Sequence, residues 1–96
     1  MRHPVVRTHP ETGRRAIYVN RLFTTHIEGL GRAESAAILE MLYRHVVQDE
    51  FTVRLSWQPM TVAIWDNRAT QHKPVNDFLS MHRKMHRVTI AGERPI

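Results

Sequence analysis

A chain of 96 residues that is 42% hydrophobic and 24% charged, with four Gly and five Pro, reads as one globular domain at most, residues 1–96, and not as a disordered polymer. It has no cysteine, which excludes disulfides and thiolate metal sites, and no apolar run near the roughly 20 residues that span a bilayer. The formal charge of +5 is carried almost entirely by scattered Arg, with Arg14-Arg15 the longest run and Lys73 and Lys84 the only lysines. That pattern forms no basic arm for nucleic acid; it reads first as scattered surface Arg without a function, and next as single Arg residues serving small anions that fit a guanidinium fork. No secretory pattern opens the chain, so the expected setting is the cytoplasm, with no membrane partner.

The elements follow in order. Val5-Val6 and Ala16-Ile17-Tyr18-Val19 are short β-rich runs about Pro10-Glu11-Thr12-Gly13, which predicts a hairpin. Leu22 to Ile27 is a short extended or loop segment that stops at Gly29-Leu30-Gly31. From Ala33 to Val47, apolar residues at Ile38, Leu39, Met41, Leu42, Val46 and Val47 make one helical stripe. Glu34 near its start and Arg44 and His45 near its end suit the helix dipole. This helix is expected on the outside of a sheet.

Phe51, Val53, Leu55 and Trp57 alternate with Thr52, Arg54 and Ser56, the period of a half-buried strand. Gln58-Pro59-Met60 is a tight connection to a second strand, Thr61 to Trp65, and the pair is expected antiparallel. Asp66-Asn67-Arg68 is turn-forming, Ala69 to His72 extended, Pro74 to Phe78 loop, and Met85 to Ala91 a last strand.

The seven histidines are His3, His9, His26, His45, His72, His82 and His86. None of them makes an H-x-x-x-H pair on a helix, because His82 and His86 fall where a loop enters a strand. His26-Ile27-Glu28 has a spacing that can chelate from a strand, but it runs into a glycine loop ahead of the helix.

The segment from Trp57 to Arg87 contains W-D-N-R-A-T-Q-H, ending at His72, followed eleven residues later by Arg83 and fifteen later by Arg87. It resembles the C-terminal signature of the taurine dioxygenase (TauD/TfdA) family of Fe(II)- and 2-oxoglutarate-dependent dioxygenases. The upstream runs H-P-V-V-R-T-H-P-E-T-G-R-R-A-I-Y-V-N and G-L-G-R-A-E-S-A-A-I-L-E-M-L are similar to the same family, so the resemblance covers essentially the whole chain.

The resemblance implies a mainly β fold with one external helix. This would be the C-terminal half of a double-stranded β-helix, or jelly roll, of the clavaminate synthase-like kind. It implies Fe(II) as metal, 2-oxoglutarate as co-substrate, and O₂ and a small anionic organic acid such as a sulfonate as substrates. His72 matches the distal histidine of a two-histidine, one-carboxylate iron site. Arg83 matches the arginine that clamps the far carboxylate of 2-oxoglutarate, and Arg87 an arginine at the substrate end. Trp57 and Trp65 match aromatic positions near the iron pocket, or serve as core aromatics of the barrel. Asp66 and Asn67 either orient His72 from behind or only make the turn.

The sequence departs from the family at three places. The H-x-D ligand pair, and the threonine that helps Arg83 bind the co-substrate, are expected upstream of Met1. Met60-Thr61 stands where Gly-Asp or Asn-Asp is usual, and Lys73 where an aromatic residue usually follows the histidine. The expected activity is therefore that of a fragment which dimerises or joins a missing N-terminal portion. The alternative is a truncated, non-catalytic paralogue acting as an oligomeric or interaction protein.

Overall fold

The computed structural model describes residues 1–75 and 84–96; Arg83, His82 and Phe78 lie outside them. The hairpin forms where the alternation and the Pro/Gly turn placed it. Strand β1 (Val6–Thr8) pairs antiparallel with β2 (Arg15–Ile17), with Val6 opposite Ile17 and Thr8 opposite Arg15. Gly13 sits at φ 71 in the connecting loop, and its N–H donates to the His9 carbonyl at 2.9 Å, a left-handed position that glycine adopts without a Cβ penalty. Period-two alternation turns Arg7 and His9 inward and leaves Val6 and Thr8 exposed.

Helix α1 (Arg32–Val46) matches the predicted span to within a residue at each end. Its inward stripe is narrower than the sequence suggests. Ser35 and Leu39 are buried, Leu42, Tyr43 and Val46 are half-buried, and Ile38, Met41 and Val47 face solvent. Instead of a sheet, the 20–27 connection lies along it. The Ser35 hydroxyl accepts the Ile27 N–H at 2.8 Å, and Arg21 reaches Glu40 through two bonds of 3.0 and 3.1 Å while stacking on Tyr43. A short 3₁₀ turn, Asp49–Phe51, follows the helix.

The expected strands over 51–57, 61–65 and 85–91 do not form ladders among the described residues. A strand needs a neighbour to satisfy its amides, and among the described residues these runs have no ladder partner; Val53 is 95% exposed and Ile64 94%. The connection between the first two also works against a hairpin. Thr61 N–H donates to the Gln58 carbonyl at 3.1 Å, Pro59 occupies the second position, and Met60 has φ 70 at the third, the signature of a type II turn. Two-residue turns of that hand splay the flanking strands instead of pairing them.

Met60 is thus, among the described residues, the non-glycine residue that carries positive φ, at the position where the family resemblance leads one to expect Gly or Asn. Met60→Gly is expected to leave stability unchanged or raise it by up to about 1 kcal/mol. Met60→Val, whose β-branch is the worst fit to that region, is expected to lower it by about 1 kcal/mol. Urea denaturation of the two variants checks the order.

Candidate functional site

The stretch from Trp65 to His72 is a turn built around one carboxylate. Asp66 Oδ1 accepts the Arg68 N–H at 2.8 Å, and the Asp66 carbonyl accepts Ala69 N–H (3.1 Å), Thr70 N–H (2.9 Å) and the Thr70 hydroxyl (2.7 Å). An Asp that bonds its own backbone two residues on is the expected way to start such a turn. The same carboxylate takes two further bonds from the Arg68 side chain, 2.9 and 3.0 Å, and meets His9 Nε2 at 2.9 Å across 57 residues of sequence. Arg68 reaches on to Glu11 at 3.8 Å and Glu93 at 3.6 Å. The hairpin loop, the 66–70 turn and the C-terminal segment are therefore joined at one ionic cluster.

That cluster sets the ionisation of Asp66. The bonds from the Arg68 guanidinium, then from His9, then from the Arg68 N–H, hold its carboxyl well below the ordinary value of 3.8. A depressed carboxylate contributes stability that is fully present above that ordinary value and is lost as pH falls toward the folded-state value. Acid unfolding followed by circular dichroism below pH 3.8 is therefore expected to be displaced toward higher pH in Asp66→Asn.

Trp65 and His72 flank the turn and touch each other. Their ring centroids are 4.8 Å apart with an interplanar angle of 48°, and the Trp65 indole N–H donates to Asn67 Oδ1 at 2.9 Å. Asp66 and Asn67 thus spend their side chains on His9, Arg68 and Trp65, and neither bonds His72. Among the described residues Trp65 is the one of the three that contacts it. His72 is exposed, with no hydrogen bond to either ring nitrogen among the described residues. Arg87 is exposed, and Trp57 is 41% exposed. Arg83 lies outside the described residues.

His26 and Glu28 do not converge on a metal. The His26 ring meets the Thr25 hydroxyl at 3.0 Å, and Glu28 pairs with Arg2 at 2.8 Å. Among the described residues no group of three His, Cys, Asp or Glu is placed to hold a metal ion. An iron site of two histidines and a carboxylate therefore does not fit the described residues as a complete set. The same residues contain no helix long and apolar enough to cross a membrane.

Sequence reasoning missed His9. It is 8% exposed and anchors the ionic cluster, and the turn-rich P-E-T-G that follows it is the only local sign that its ring could be enclosed by backbone.

Comparison with known proteins agrees with the motif. The family model for "Taurine catabolism dioxygenase TauD, TfdA family" matches residues 1–89. An alpha-ketoglutarate-dependent sulfate ester dioxygenase of Pseudomonas putida is 47% identical over 94 residues, 98% of this chain and 31% of that protein. An alkylsulfatase of Acinetobacter baylyi is 43% identical, covering 95% of this chain and 28% of its own length. An alpha-ketoglutarate-dependent sulfonate dioxygenase of Saccharomyces cerevisiae is 42% identical, covering 98% and 23%. The chain spans less than a third of the length of these relatives. With the family model matched over nearly its whole length, the chain belongs to the TauD/TfdA family of taurine catabolism dioxygenases.

Proposed function

We propose that residues 1–96 are one part of a jelly-roll, Fe(II)- and 2-oxoglutarate-dependent dioxygenase that oxidises a small organic sulfate ester, sulfonate or related acid. In this reading His72 supplies one iron ligand, and the other two come from outside the described residues. The observation that carries it is His72 itself. It ends a W-D-N-R-A-T-Q-H run, sits against Trp65, and has no hydrogen bond to either ring nitrogen among the described residues.

When bound, iron and 2-oxoglutarate supply oxidation of the substrate by O₂, coupled to decarboxylation of the co-substrate. This chain's own residues do the holding. Trp65 covers one side of the His72 ring and limits its rotation, and the Asn67 bond fixes the indole that does so. Arg83 binds the far carboxylate of 2-oxoglutarate and Arg87 the anionic group of the substrate, each with a planar fork matched to an oxyanion. Trp57 and Trp65 add apolar area, which favours exclusion of water.

The test is a chimera in which this chain replaces the matching 94-residue segment of the P. putida protein. Consumption of sulfate ester that depends on 2-oxoglutarate is the readout. Arg83→Ala is expected to raise KM for 2-oxoglutarate and Arg87→Ala that for the ester. Each loss of a charge-assisted bond costs about 1.5–3 kcal/mol, or roughly 10–150-fold. A folded, iron-binding chimera with no turnover would favour the non-catalytic paralogue. That second reading draws on the absence of a three-ligand group among the described residues.

A further inference from the structure

His9 is a buried polar side chain that the proposed chemistry does not use, and its hydrogen bonds define what it does. Nδ1 faces two main-chain donors, the N–H groups of Glu11 and Thr12, both at 3.2 Å. An imidazole whose Nδ1 accepts carries its proton on Nε2. Nε2 therefore donates to Asp66 Oδ2 at 2.9 Å. The residue's own backbone is closed into the hairpin loop by His9 N–H to Arg14 carbonyl (2.8 Å) and Gly13 N–H to His9 carbonyl (2.9 Å). At 8% exposure the ring is a rigid strut from β1 to the 66–70 turn.

The far end of that turn is tied down as well. The Gln71 side-chain amide donates to the carbonyl of buried Val19 at 2.7 Å, and its oxygen faces the Asn20 amide at 3.4 Å. Two points on the hairpin strand pair and its exit, His9 and Val19, thus hold the two ends of residues 66–71, and Trp65 and His72 are the next residue on either side. A metal-binding histidine is ordinarily oriented by a hydrogen bond to its second ring nitrogen. Among the described residues His72 has no such bond, so its place is set by the backbone on which it stands and by Trp65.

We infer that His9 is a positioning residue for His72: by holding Asp66 it fixes the turn that brings Trp65 and His72 to 4.8 Å. The functional meaning rests on His72 being an iron ligand; the positioning itself does not.

Two substitutions divide the ring's two roles. His9→Asn places an amide oxygen near Nδ1, keeping the loop bonds to Glu11 and Thr12 but not the reach to Asp66. His9→Gln places an amide N–H near Nε2, keeping the reach to Asp66 but not the loop acceptor. The readout is NMR of the full chain: nuclear Overhauser contacts between the Trp65 indole and the His72 ring, and the ring-current displacement of the His72 protons. The expected result is that His9→Gln keeps both signals and His9→Asn loses both while cross-strand contacts between β1 and β2 persist.

A purely structural role in the hairpin loop would give the reverse, with His9→Asn as the rescuing variant, and that result overturns the inference. If both variants fail to fold, the unaltered chain decides. Nitrogen shifts showing the Nε2–H tautomer with a slowly exchanging proton support the strut, and the Nδ1–H tautomer rules it out. In the P. putida chimera, Co(II) affinity is expected to fall about 10–100-fold in His9→Asn and to be kept in His9→Gln. Intact NMR behaviour together with an inactive chimera would instead count against the dioxygenase reading alone.

Discussion

Removal of the His72 imidazole in the chimera, by His72→Ala, is expected to weaken Fe(II) or Co(II) binding by more than about 100-fold and to abolish turnover. Loss of a group that merely orients a ligand costs 10–100-fold in metal affinity, and loss of the ligand itself must exceed that. Three ligands leave the remaining iron positions for co-substrate and O₂, and two ligands compete poorly with water. His26→Ala is the matched control. That ring is already engaged by the Thr25 hydroxyl, and the adjacent Glu28 by Arg2. Equilibrium dialysis of both variants decides the assignment, and a chimera that loses metal with His26→Ala but keeps it with His72→Ala would move the site.

The second large effect concerns assembly. Val19 and Leu39 are the buried apolar side chains among the described residues, while Val53, Met60, Val62, Ile64, Val88 and Ile90 are each more than 80% exposed. The radius of gyration is 15.9 Å, against roughly 12–13 Å for a compact domain of this length. Arg7 adds a polar reason. It is 3% exposed, its guanidinium lies 4.8 Å above the Tyr18 ring, and its Nε has no hydrogen-bond acceptor. A buried N–H without an acceptor costs free energy that a partner's carboxylate or carbonyl would recover.

Each large apolar side chain left in water forgoes about 1.5–3 kcal/mol, and a domain of this size has only about 5–15 kcal/mol in total. The chain is therefore expected to self-associate at micromolar concentration, with an unfolding midpoint that rises with concentration. Sedimentation equilibrium and thermal melts at several concentrations check this. A cooperative monomer with a concentration-independent midpoint would show that the core closes by itself.

What was legible in the sequence was local. The hairpin needs only alternation and a Pro/Gly turn, and the helix needs only its 3.6-residue stripe, so both stand where expected. The runs at 51–57, 61–65 and 85–91 carry the period of strands, but alternation says which face would be buried and not whether a neighbouring strand exists. Among the described residues none does. Asp66 was readable as a turn residue, and its bonds to Arg68, Ala69 and Thr70 are of that kind. Its bond to His9 spans 57 residues and was invisible to any local pattern. Conversely the roles proposed for His72, Arg83 and Arg87 come from family likeness, since periodicity alone assigns none of them.

The central claim is that this chain holds one iron ligand of a site completed elsewhere. Anaerobic titration of Fe(II) with 2-oxoglutarate into the isolated chain, followed by its visible metal-to-ligand absorption, tests it most directly, with the chimera as reference. A saturating, stoichiometric band is expected in the chimera and none in the isolated chain at micromolar concentration. A tight one-to-one band in the isolated chain that vanishes in His72→Ala would contradict it and place a full ligand set within these 96 residues.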